Sequence, residues 1–193
     1  MVHPFFLKRI VLLSVIFLSV LFFFLFPLVN QNPSLLFFIP YSCEYDTCST
    51  IIIRGDSMLP TFESGEKAVI LSDYYTRFPI ERGDVVGVFF KQTLSGPKQY
   101  VKRIVAVSGD AVSLDDQNRI LVNGKLLDGG FGFAYSNPEK DLVFIHFLNK
   151  YRGKVPEGYL VVLGDNRSDS FDSRRFGFIP ISLIVGKVEK SKG

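Results

Sequence analysis

Histidine is almost missing from this 193-residue chain: His3 and His146 are the only two. A serine nucleophile that relies on an imidazole therefore has little to work with, and a histidine-built metal centre has too few ligands. Cysteine is equally scarce, with Cys43 and Cys48 alone in the stretch CEYDTC. Two thiols in that one stretch lack the further ligands of a zinc site, so no metal is expected. Neither sign of charge is in excess. Of 22 Lys and Arg and 19 Asp and Glu, only Lys8 and Arg9 precede Glu44, leaving 20 against 19 for the rest of the chain. That balance excludes a nucleic-acid footprint and calls for no polyanionic partner. Alanine does not occur before Ala68. Sustained helical periodicity, internal repeats and low-complexity tracts are all absent after residue 40.

What the N-terminus does have is one long apolar run. IVLLSVIFLSVLFFFLFPLV, residues 10–29, is 20 residues without a charge. At about 1.5 Å per helical residue it crosses a hydrocarbon core of about 30 Å, so it reads as a transmembrane helix. Ser14 and Ser19 can bond back to their own helix, and Pro27 lies near the far end, where a broken turn costs least. Lys8 and Arg9 flank the N-terminal side and no basic residue follows until Arg54. That asymmetry puts residues 1–9 in the cytoplasm and everything after residue 30 outside. A cleaved signal peptide is the competing reading. The run exceeds the usual h-region of about 7–15 residues, and the missing alanine removes a small-x-small cleavage site, so an uncleaved anchor is expected. A buried core helix fits less well, because phenylalanine occupies every face.

The polar linker NQNPS leads to LLFFIPY, residues 35–41, which is too short to span. A strand and an interfacial segment both fit it. In an oxidising external compartment, Cys43 and Cys48 are expected to close a small loop as a disulfide.

The rest is written in short β-branched and aromatic runs: KAVILSD, DVVGVFF, YVKRIVAV, AVSLDD, RILVNGKLL, YLVVLGD and IVGKVEK. Asn123-Gly124 is a two-residue hairpin signal. These runs predict an antiparallel β domain, with GGFGFAYSNPEKD as its most irregular insertion.

Within IIIRGDSMLPTF, residues 51–62, Ser57 follows three isoleucines and a Gly-Asp bend. Pro60 biases Leu59 away from the helical region, so an extended or bent course is expected from Ser57 to Leu59. Taken alone, Ser57 reads as a turn hydroxyl bonded to nearby backbone. With histidine scarce, the alternative base is lysine. An amine titrating at about 10.4 serves near neutrality only if burial depresses it by several units. YVKRIVAV offers one: on a strand, Tyr100, Lys102, Ile104 and Ala106 share a face, which places Lys102 among apolar neighbours while Arg103 points the other way. Taken alone, Lys102 reads as a strand lysine whose amine reaches water. The third segment, LGDNRSDSFDSRRFGFIP, residues 163–180, ends a hydrophobic strand in a dense polar loop. It is not a calcium loop, since Asp165 is followed by neither a glycine at the sixth position nor a glutamate at the twelfth.

Together these segments resemble bacterial type I signal peptidase, a family of membrane-anchored serine-lysine proteases that remove signal peptides from exported proteins. GDSMLPT is similar to the family's nucleophile box, YVKRIVAVSGDAV to its lysine box, and GDNRSDSFDSRRFGFIP to its C-terminal box. RGDVVGVFF and VNGK are similar to two further family segments, in the expected order. The resemblance implies a mostly β protein: an N-terminal transmembrane helix followed by an antiparallel β-sheet catalytic domain of signal-peptidase type. Its parts would be a cytoplasmic N-terminus over 1–9, an anchor over 10–29, a linker and membrane-proximal segment over 30–50, and a peptidase domain over 51–193. That domain would lie on the outer face of the plasma membrane.

By the same resemblance Ser57 is the nucleophile and Lys102 the general base, with Ser170 orienting the lysine amine. Asp172 and Arg174 brace the site, and Asp165 and Asn166 are structural. Met58, Phe62, Tyr100 and Val101 surround the shallow pockets that accept the small side chains of Ala-x-Ala. The oxyanion falls to the backbone N–H of Ser57 and to the position of Gly55, where some members carry a serine instead. Ser108 likewise stands where proline is common. No cofactor is implied. The partners implied are signal peptides of exported preproteins, membrane lipid and the secretion translocon. Two other functions fit parts of the chain. One is a specialised relative with few substrates, of the pilin-maturation or organelle inner-membrane kind. The other is a non-enzymatic, membrane-tethered β module, suggested by Arg-Gly-Asp at 54–56 and again at 82–84.

Overall fold

The structure is a computed structural model and describes residues 47–91, 96–127 and 130–191. The described residues all belong to one compact unit, Tyr45–Gly193. The anchor expected over 10–29, the cytoplasmic 1–9 and the apolar patch at 35–41 lie outside the described residues. Among the described residues no helix is long and apolar enough to cross a membrane.

Among the described residues ten strands follow one another: β1 Cys48–Ile52, β2 Lys67–Leu71, β3 Val85–Phe90, β4 Lys98–Ala106, β5 Val112–Leu114, β6 Ile120–Val122, β7 Lys125–Leu126, β8 Tyr159–Leu163, β9 Ile179–Pro180 and β10 Ile184–Lys190. Three short α-helices are interspersed among the same residues: α1 Tyr74–Arg77, α2 Leu142–Lys150 and α3 Ser173–Phe176. All seven runs read as strands in the sequence contain strands, and every pairing is antiparallel. The first strand starts at Cys48, so Cys48, Ser49 and Thr50, assigned to the linker, belong to the sheet. Cys48 is disulfide-bonded; the chain's other cysteine, Cys43, lies outside the described residues.

Seven strands form the main sheet in the order β1-β2-β10-β3-β4-β8-β9, and β5-β6-β7 form a second sheet. The β6–β7 hairpin turns at Asn123-Gly124, with Val122 opposite Lys125 and φ of 52° and 73° at the two turn residues. Only asparagine, aspartate and glycine accept that left-handed geometry readily, so the tight turn is a local property of the sequence.

Two expectations are corrected. The first concerns helix content, because α2 is a nine-residue helix where no helical period was read. Phe144, Phe147, Leu148 and Tyr151 pack together against Phe178 and its neighbours, a helical spacing. Leu142 and Val143 are apolar yet exposed, and they fill the outer face of α2, which flattens the contrast that periodicity depends on. The second concerns Ala106, which does not share the face of Ile104. The β4–β8 register shifts between these two residues. Ile104 packs with Val86 and Val88, while Ala106 packs with Val105, Val161 and Phe144. A bulge breaks the strict alternation of the pleat.

A third cluster, Ile53, Met58, Phe62, Ala68, Ile70, Val85 and Val188, lies under the β1–β2 connection. Met58 and Phe62 are 1% and 2% exposed. Burying two such side chains contributes about 1.5–3 kcal/mol each, which pins the turn carrying Ser57 to the sheet.

Candidate active site

Ser57 sits in the connection from β1 to β2. Backbone bonds from Ile53 N to Glu66 O and from Gly65 N to Ile53 O, both 2.9 Å, extend the ladder beyond the strands. The chain then turns tightly, with Leu59 N donating to Asp56 O at 3.1 Å and Phe62 N to Met58 O at 2.9 Å. The Leu59–Pro60 peptide is cis. The course expected to be extended or bent is therefore a closed turn, held from below by Met58 and Phe62.

Lys102 lies on β4 opposite Val86 of β3 and is 2% exposed. Its amine donates to Ser57 Oγ at 2.8 Å and to the Val101 carbonyl at 2.9 Å. The Tyr100 ring centroid lies 5.6 Å from Nζ. Burial disfavours the ammonium and brings the Lys102 pKa down to about 8. The carboxylates of Asp172 and Asp165 oppose that shift, and the Arg174 cation assists it. A neutral amine at this distance can take the Ser57 proton, the same contact with the hydrogen on the other atom.

The C-terminal loop after β8 closes the site from the other side. Asn166 N–H donates to the Ser57 carbonyl at 3.1 Å, and its side-chain Nδ2 donates to the Asp56 carbonyl at 3.2 Å. Asp165 receives Arg103 through two bonds, Nε to Oδ1 at 2.8 Å and Nη2 to Oδ2 at 2.7 Å, and also accepts from the Thr61 hydroxyl. The two adjacent strand residues thus hold both ends of one turn, Lys102 its Ser57 and Arg103 its Thr61. Asp172 is fully buried and accepts from Gly164 N–H at 3.1 Å. Arg174 grips the same carboxylate through Nε at 2.9 Å and Nη2 at 2.8 Å, and reaches the Tyr135 carbonyl through Nη1. Ser173 Oγ accepts from Val162 N–H at 2.9 Å, fastening α3 to β8. Asp165, Asn166, Asp172 and Arg174 are thus all bonded within the segments around Ser57.

Ser170 is brought close but is not engaged as expected. Its Oγ is buried and has no hydrogen-bond partner among the described residues, so the expected bond to the Lys102 amine is not made. Gly164 explains the proximity: a Cβ there would collide with both Ser170 Oγ and the Ser57 carbonyl. The absence of a side chain lets the two serine segments meet.

A groove of about 260 Å³ runs beside Ser57 and Lys102, walled by Ile51–Arg54 on one side and Gln99–Val101 on the other, with Met58 at its base. Met58, Tyr100 and Val101 line it. Phe62 does not; it is a core residue of the cluster beneath. Ile51–Arg54 and Gln99 went unread in the sequence as walls, although flanking strand residues follow from placing Ser57 and Lys102 side by side. Gly55 N–H is committed to Ser64 Oγ at 3.1 Å, so the position noted for the oxyanion offers no free backbone donor. The Arg-Gly-Asp tripeptide at 82–84 is a bonded turn: Gly83 O accepts from Arg103, and Asp84 from Tyr75 and Lys187.

A half-buried serine bonded to a buried lysine at the edge of a β-walled groove is the arrangement of a serine hydrolase that uses an amine as its base. The family model described as "Signal peptidase, peptidase S26" matches residues 34–191. A signal peptidase I of Bacillus caldolyticus is 40% identical over 146 residues, covering 73% of this chain and 77% of that protein. A signal peptidase IB of Staphylococcus aureus is 35% identical over 144 residues, covering 70% and 73% respectively. A crystal structure of a signal peptidase I from Enterococcus faecalis aligns with a TM-score of 0.36 at 20% identity, covering 57% of this chain and 97% of that one. The chain belongs to the signal peptidase family, peptidase S26. It is a serine endopeptidase, which sets aside the reading as a non-enzymatic β module.

Proposed function

We propose that this protein is a membrane-anchored signal peptidase that cleaves exported preproteins after a small-x-small site. Ser57 serves as nucleophile and Lys102 as general base. The observation that carries this reading is the 2.8 Å contact between Lys102 Nζ and Ser57 Oγ, made by an amine whose burial brings its pKa down to about 8.

The substrate's residues before the scissile bond lie as an extended strand in the groove. Among the described residues, β4 pairs with β8 only from Arg103 onward, so Lys98–Lys102 keep one edge open. β1 is likewise an edge strand. Unpaired strand edges accept an extended peptide through its backbone, and the narrow walls then admit small side chains and exclude large ones. Neutral Lys102 takes the Ser57 proton as Oγ attacks the carbonyl carbon. The tetrahedral oxyanion turns to the Ser57 backbone N–H. As the C–N bond breaks, the Lys102 ammonium returns its proton to the leaving amine, and an acyl ester on Ser57 awaits water. Substrate covers the site and removes more solvent, which keeps Lys102 neutral and strengthens the oxyanion bonds. Residues 10–29 anchor the enzyme with its N-terminus in the cytoplasm and its catalytic domain on the outer face, where lipid and the translocon deliver precursor.

The deciding experiment is cleavage of a precursor with an Ala-x-Ala site by the full chain in detergent or lipid, beside Ser57→Ala and Lys102→Met. Cutting after the second alanine by the unaltered enzyme, and loss of activity in both folded variants, is the expected result. Full activity of Lys102→Met would overturn the assignment.

A further inference from the structure

The groove accounts for the residues before the cleaved bond, and the chain must continue past Ser57. Beyond the nucleophile turn lie two adjacent cavities of about 660 and 760 Å³ that share Tyr135, Arg167, Ser168 and Arg174 in their lining. Neither shares a lining residue with the groove. The larger begins at Leu59 and Pro60, directly after the nucleophile turn, and the other includes Ser170, whose hydroxyl lies across Gly164 from the Ser57 carbonyl. Together they make a trench between the irregular insertion and the C-terminal loop.

The charge of the trench is not balanced beside the turn. Asp165 is paired with Arg103, Arg174 with Asp172, and Arg175 with Asp141. Arg167 lines both cavities and, among the described residues, has no carboxylate within ion-pair distance. Its guanidinium is held in place: Nη1 donates to the Gly164 carbonyl at 2.9 Å, and it lies 5.7 Å from the Phe131 ring, which Arg103 also approaches at 4.9 Å. Nε is buried without a partner. Glu139, the one carboxylate of the trench outside an ion pair, is exposed and lines only the cavity farther along the loop. Phe133 and Tyr135 are 40% and 51% exposed and give the trench an apolar wall.

We propose that this trench receives the first residues downstream of the cleaved bond and that Arg167 makes it favour an acidic side chain there. The inference rests on reading the groove as the site of the residues before the bond. A held guanidinium loses little freedom on pairing with a carboxylate, and it repels a lysine in the same place. Precursors whose mature segment opens with Asp or Glu are then the favoured class, and those that open with Lys or Arg the disfavoured one.

The test uses the full chain in detergent with precursors that share one signal peptide and Ala-x-Ala site. They differ only by Asp, Asn or Lys at the second, third or fourth residue after the bond. For the unaltered enzyme kcat/KM is expected to favour Asp over Lys by roughly tenfold at one of these positions, the equivalent of one modest ion pair. Added salt should shrink the ratio. Arg167→Gln should bring it close to one, and Arg167→Lys should keep part of it. Equal cutting of the whole series by the unaltered enzyme overturns the inference without any variant having to fold, and leaves the peptidase reading intact. An unchanged ratio in folded Arg167→Gln overturns it too. No cleavage of any precursor overturns the peptidase reading and this inference with it.

Discussion

Asn166 and Ser57 are bonded backbone to backbone, N–H to carbonyl at 3.1 Å, and the Asn166 side chain takes the neighbouring Asp56 carbonyl at 3.2 Å. The Asp56–Ser57 peptide is thereby held by a loop from the far end of the chain. In a trans peptide the carbonyl and the following N–H point in opposite directions. Fixing the Asp56 carbonyl toward Asn166 therefore aims the Ser57 N–H away from it, where an oxyanion donor can act. Ser57, Lys102 and this loop form one bonded unit, and the expected behaviour of variants follows from that.

The pH dependence should report Lys102. The base acts only when neutral, so kcat/KM should rise with pH through a limb near 8, the value to which burial brings this amine. Well below that limb it should fall about tenfold per unit. The Asp172 charge holds the Lys102 pKa up and the Arg174 charge holds it down. Asp172→Asn should move the limb to lower pH and Arg174→Gln to higher pH. A limb unmoved by either would show that another group titrates.

Lys102 should cost stability at neutral pH. Its amine titrates near 8 in the folded protein against 10.5 ordinarily. Between those values the unfolded chain holds a proton that the native state has shed, so stability rises with pH across that window. Below pH 8 the cost is present in full, about 3 kcal/mol at 1.36 kcal/mol per unit. Lys102→Met should therefore be more stable than the parent at pH 7, with the gap closing toward pH 10.5. Urea melts of both proteins at a series of pH values check this.

Gly164→Ala should damage activity more than folding. The added methyl meets Ser170 Oγ and the Ser57 carbonyl, so one or both serine segments must shift. Overpacking of this kind costs about 1–3 kcal/mol, and a displaced reacting group can lose on the order of a hundredfold in rate. Activity and thermal melting measured on one preparation separate the two effects. Near-normal kcat would show that the segments yield without moving Ser57 Oγ.

Removing one partner of the Asp172–Arg174 pair should be costly. Both charges are largely buried, with Asp172 side-chain exposure 0% and Arg174 11%. Arg174→Ala leaves the carboxylate without its cation, at a cost of about 3–5 kcal/mol. Thermal melting of the variant checks it, and a shift of under a degree would show that water replaces the arginine.

Much of this protein could be read from residue order alone, because the signals are local. β-branched runs between turn residues define the strands, Asn123-Gly124 makes its own hairpin, and Ser57, Lys102 and the polar loop after Leu163, each ordinary alone, point to one site when taken together. Helix α2 escaped because its exposed face carries Leu142 and Val143, and periodicity registers composition where burial is what matters. Other features were decided only when distant segments met. Phe62 went to the core, Ser170 came up against Gly164, Asn166 took hold of the Ser57 carbonyl, and Ala106 left the face of Ile104 at a bulge. The burial that sets the Lys102 pKa belongs to the same group, since desolvation depends on which side chains from other strands close over an amine. Residue type and spacing determine what chemistry is at hand; which groups touch, and how dry they are, is a property of the packed chain.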